Sequence, residues 1–69
     1  MQTEVLFTVE HAPEGGFIAK AVGYGIFVQA ETTAELHTQV RDAVSCHFDP
    51  QDKPRLIRLH FVHDEVLTA

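Results

Sequence analysis

Five histidines and one cysteine in so short a chain are the residue types from which a metal centre or a nucleophilic dyad is built. Their spacing argues against both. His60 and His63 stand three apart on a segment that reads as extended, and alternation sends their side chains to opposite faces. His37 and His47 lie on a helix, about 80° from each other around its axis, while the neighbours Cys46 and His47 diverge. None of these pairs has a usual chelate spacing. Cys46 also nears a helix C-terminus, where the macrodipole disfavours a thiolate. The carboxylate pairs Asp64/Glu65 and Asp49/Asp52 fall in a tail and a loop, the ordinary places for solvated acids. We therefore expect no catalytic residue, no metal, no cofactor and no enzymatic activity.

The glycines raise a second possibility, a phosphate cradle. All four sit in EGGFIAKAVGYGIF, residues 14–27. Neither a G-x-G-x-x-G nor a G-x-x-x-x-G-K-[ST] spacing occurs, and no helix begins at these glycines. Turn chemistry accounts for all four: Gly15 and Gly16 close one hairpin, and Gly23 and Gly25 bracket the next turn.

These residues are positioned by four strands and one helix. In EVLFTVE, Val5, Phe7 and Val9 alternate with Glu4, Leu6, Thr8 and Glu10, the period of a sheet with one face on a core. HAPEGG turns the chain, GFIAKAV is a second strand, and IFVQA is a third. Thr32 and Glu35 then have the T-x-x-E spacing of a capping box, which predicts a helix starting at about Thr33. Leu36, Val40, Ala43, Val44 and His47 share one helical face, with His47 placed against the sheet. Pro50 disfavours helix at Asp49, so the helix ends near His47 or Phe48. RLIRLHFV supplies a fourth strand, expected to lie beside the first. The order β-β-β-α-β predicts an α+β two-layer sandwich, one amphipathic helix on a mostly antiparallel four-stranded sheet, with residues 1–69 as a single domain.

Alternation also assigns the faces. Val5, Phe7, Val9, Phe17, Ala19, Ile26, Val28, Ile57, Leu59 and Phe61 are expected to face the helix. Leu6, Ile18, Phe27, Leu56 and Val62 then face away, as do Arg58 and His60. Several apolar side chains on one open face suggest a partner. A 69-residue chain buries only about 60% of its unfolded surface and has no disulfide to staple it. A homodimer or higher homo-oligomer is the expectation.

Ten acidic residues against five basic give a net charge of −5, which opposes unassisted nucleic-acid binding. An alternative uses Arg58 and His60 beside Phe27, together with Tyr24, to bind a small ligand or single-stranded RNA. The lone cysteine suggests a reducing, cytoplasmic setting, and neither a secretory signal nor a membrane span is expected.

A strand followed by Glu14-Gly15-Gly16-Phe17-x-Ala19, then Thr32, Glu35, Gln39, Asp42, Ala43 and Val44 on the helix, resembles the N-terminal domain of HicB-family antitoxins, and more closely its short stand-alone relatives. The resemblance covers about residues 4–48. It implies the β-β-β-α-β fold, dimerisation, and a small toxin-like protein as partner. The family's proline-containing connection before the third strand is here AVGYGI. No helix-turn-helix or ribbon-helix-helix is read after the fourth strand, so a DNA-binding domain and operator binding are not expected.

Overall fold

Strand β1 (Glu4–His11) is the spine of the molecule, and its burial alternates from Glu4 to Glu10: Val5, Phe7 and Val9 are fully buried while Glu4, Leu6 and Thr8 are half-exposed. The computed structural model describes residues 3–63 and 67–69. Strands β2 (Phe17–Ala21) and β3 (Phe27–Ala30) follow as an antiparallel meander, and helix α1 (Thr33–His47) then leads to β4 (Leu56–Phe61). The sheet is mixed, in the order β3-β2-β1-β4, with β4 parallel to β1. The expected adjacency of first and fourth strands is therefore present.

The parallel pairing follows from the crossover. β3 runs in the direction of β1, and a 15-residue helix returns the chain by roughly 22 Å. β4 must then start where β3 started and run the same way, on the far margin.

The glycine pair closes the first hairpin as expected. Gly15 and Gly16 adopt φ of 104° and 83°, and the turn is tied by Gly15 N–H donating to Ala12 O and Ala12 N–H donating to Gly16 O, both 3.0 Å. At the second turn Gly23 takes a positive φ and Gly25 does not.

Thr32 caps α1, its Oγ1 accepting from Glu35 N–H at 3.1 Å. The helix stops at Phe48, whose N–H donates to Val44 O, because Asp49 precedes Pro50 and cannot readily continue helical geometry. Leu36, Val40 and Val44 form its buried stripe and complete the core over Phe7, Val5 and Val9. Thr32→Ala should cost about 1 kcal/mol by removing a partner from an orphan helix N–H. Urea denaturation would register that loss, and an unchanged midpoint would show that the cap contributes nothing.

Two expectations about the core are corrected. Phe61 shares the helix-side face, opposite Val9, yet it is 48% exposed. Helix α1 packs along β3 and β2, leaving the end of β4 bare, and Phe61 instead meets Phe17 edge-on at 6.1 Å. Ile57 and Leu59 are likewise only half-buried. His47 does not lie against the sheet: it is exposed, edge-on to Tyr24 at 5.6 Å and to Phe48 at 4.9 Å. It is the last residue of the helix, beyond the stripe that ends at Val44.

Candidate functional site

Among the described residues, the face of the sheet opposite α1 has no covering layer, and the register fixes what it displays. Leu6 pairs with Arg58, Thr8 with Lys20 and His60, Glu10 with Ile18, and Lys20 with Phe27. Leu6, Ile18, Phe27, Leu56, Arg58 and His60 thus share this face, opposite the buried Val5, Phe7 and Val9. Val62 lies just past β4, half-buried, its N–H donating to Val9 O at 2.7 Å.

The apolar side chains are not one continuous sheet of grease. Phe27, Lys20, Thr8 and His60 form a row across the strands, and its inner members are polar. On one side of that row Leu6 and Leu56 meet a residue that sequence reading missed, Val22. Its N–H donates to Leu6 O at 2.8 Å, and its side chain is 54% exposed. Following the helix-facing Ala21, Val22 belongs by alternation to the open face. With Phe27 at 57% and Leu56 at 62% exposure, Phe27, Val22, Leu6 and Leu56 make an apolar arc across all four strands. Val22 closes the run GFIAKAV, but the face assignment stopped short of it; its hydrogen bond to Leu6 sets it opposite that residue.

The basic-and-aromatic arrangement expected from Arg58, His60, Phe27 and Tyr24 does not form. Phe27 lies on β3 and the two basic residues on β4, the opposite margins of the sheet. Three strand spacings separate them, about 14 Å. Tyr24 is on the helix side, packed between His47 and Phe48. Arg58 is moreover engaged: Nε donates to Glu4 Oε1 at 3.0 Å and Nη2 lies 2.9 Å from the same oxygen. That hydrogen bond first, and the Glu4 charge second, raise the guanidinium pKa further above its already high value.

The histidines scatter, with one exception that spacing did not show. His11, at the end of β1, lies edge-on to His63 with ring centroids 6.3 Å apart, and stacks at a tilt on Phe17 at 5.0 Å. Among the described residues no three histidine, cysteine, aspartate or glutamate side chains converge as a metal site. Cys46 is exposed on the helix. The acidic pair Asp64/Glu65 lies outside the described residues, while Asp49 and Asp52 are exposed in the loop before β4. A hollow of about 520 Å³ beside the first hairpin is lined by Glu14, Phe17, Ile18, Glu31 and Glu35 among others. The described core contains no polar side chain. Among the described residues no helix is long and apolar enough to cross a membrane.

Similarity to known proteins was found at the level of whole chains. A UPF0150 protein of Thermotoga maritima is 40% identical over 68 residues, covering 99% of this chain and 96% of the relative. The chain belongs to the UPF0150 family. A second UPF0150 protein, from Archaeoglobus fulgidus, is 44% identical over 52 residues, covering 75% of this chain and 77% of its own. No family model matches. No solved structure matches either. The expectation of short relatives is thereby met in its coarser form: UPF0150 relatives align over most of their length with this chain. For this UPF0150 domain, the Thermotoga alignment spans the whole open face, from Leu6 on β1 to Val62 beyond β4.

Proposed function

We propose that this UPF0150 domain is a non-enzymatic, HicB-like interaction module of the cytoplasm that self-associates and binds a small protein partner through its open sheet face. The observation that carries the reading is the arc of Phe27, Val22, Leu6 and Leu56 on a face that no described residue covers as a layer. Phe27, Val22 and Leu56 at over half exposure around the half-buried Leu6, flanked by Lys20, Thr8 and the Arg58–Glu4 pair, have the apolar-centre, polar-rim make-up of protein interfaces. A net charge of −5 favours a basic partner, as a small RNA-cleaving toxin would be. An RNA-binding reading has less support, because the cation nearest the middle of β4 is already neutralised by Glu4 and the exposed phenyl ring of the face, Phe27, sits on the other margin.

The test is co-expression with the protein encoded in the neighbouring reading frame. Wild-type chain should co-purify with it, and Phe27→Glu should weaken the complex at least ~30-fold, an interfacial aromatic anchor being worth about 2 kcal/mol or more. Phe27 is outside the core, so the variant should keep its circular dichroism and melting temperature. Recovery of the wild-type chain by itself, or equal recovery of the partner with both forms, overturns the reading.

A further inference from the structure

The two margins of the sheet are unequal. β3 is four residues long and has α1 packed along it, whereas β4 is six residues long and among the described residues meets α1 only across a groove beside Ile57 and Leu59. Exposed edges in soluble proteins are ordinarily blunted by shortness, by charge or proline, or by a covering element. Among the described residues, β4 has none of these devices at the positions whose backbone faces outward.

Which residues those are follows from the ladder. Leu56 N–H donates to Thr3 O and Val62 N–H to Val9 O, so the even-numbered amides of β4 turn toward β1. The odd-numbered ones, Ile57, Leu59 and Phe61, turn their N–H and C=O to the free margin. Their side chains are also the apolar ones on the helix side that α1 leaves half-buried or, at Phe61, nearly half exposed. A groove of about 180 Å³ runs beside Ile57 and Leu59, walled by His37, Val40 and Arg41 of the helix.

We infer that β4 pairs antiparallel with β4 of a second copy, about a two-fold axis at Leu59. Leu59 then meets Leu59 of the second copy, and Ile57 meets Phe61, on the helix side. On the outer side Arg58 faces His60 and Leu56 faces Val62. Moving the register by one residue sets apolar side chains against polar ones across the pair. Moving it by two one way sets Arg58 directly on Arg58, which like charge disfavours, and the other way sets Ile57 against His63 and Arg58 against Val62, apolar against polar. In the inferred register Arg58 keeps its own Glu4, so no bare guanidinium is brought to the seam.

This inference rests on the self-association proposed above and not on the protein partner, because the axis leaves both open faces uncovered. In a Cys46→Ser background, Leu59→Cys should form an interchain disulfide nearly quantitatively under mild oxidation. A hydrogen-bonded antiparallel pair holds its Cα atoms at about 5.5 Å, within disulfide range. Phe27→Cys in the same background should not cross-link. Sedimentation of the unmodified chain at high micromolar concentration should give a dimer, and Leu59→Lys should give a folded monomer. A wild-type monomer overturns self-association altogether. A dimer that links through Phe27→Cys and not Leu59→Cys overturns the edge assignment alone. Linkage at Leu59→Cys without capture of the neighbouring protein leaves this inference standing and removes the partner.

Discussion

Phe7→Ala should leave much of the population unfolded at 37 °C. Phe7 is fully buried at the middle of the central strand, with β2 and β4 on either side and Leu36, Val40 and Val44 in the core above it. Removing a buried phenyl ring costs about 3–5 kcal/mol through lost transfer energy and the cavity left behind. A domain of 69 residues has only about 3–10 kcal/mol to lose. Urea denaturation should show the midpoint falling by roughly 2–3 M, or no folded baseline at all. Phe27→Ala, on the open face, should stay within about 0.5 kcal/mol of wild type. A loss below about 1 kcal/mol at Phe7 would contradict the packing described for the core.

The second large effect is at Gly16. Its φ is +83°, and a Cβ built there would lie 2.6 Å from the carbonyl oxygen of Ala30, at the end of β3. Alanine at Gly16 must hold the left-handed conformation, at about 1–2 kcal/mol, and also push the β3 backbone away from Phe17. Together these should reach about 2–4 kcal/mol. Gly15 is the internal control, because its φ is +104° and no atom lies within 4 Å of its added Cβ. Gly15→Ala carries only the conformational cost. Thermal melts should therefore order wild type, Gly15→Ala and Gly16→Ala, the last lower than wild type by roughly 10 °C or more. Equal melting temperatures for the two variants would mean that the contact with Ala30 relaxes freely.

That contact marks a boundary on what could be read from residues in order. That Gly15 and Gly16 close a turn is local chemistry, and so are the Thr32 cap and the helix end before Pro50; each was legible in a few adjacent residues. So was the face of every strand residue, since alternation has a period of two. What alternation does not encode is which strand lies where. Phe27 and Arg58 share a face but occupy opposite margins, and no local pattern separates neighbours on a face from residues at its two ends. The same limit explains Phe61. Its side is legible, but whether the helix reaches it depends on how α1 lies across the sheet. His11 and His63 meet because β1 and β4 run in parallel and end together, a juxtaposition across more than fifty residues.

The parallel pairing of β1 with β4 has a consequence for how the chain reaches its structure. The meander β1-β2-β3 joins neighbours in sequence and forms through short loops, but β1 must wait for Leu56–Phe61 before its second margin is satisfied. Closing so long a loop is the slow, non-local step of a topology that is otherwise local. During synthesis the strand that carries Val5, Phe7 and Val9 into the core therefore leaves the ribosome with one side unpaired, and stays so until nearly the whole chain has emerged.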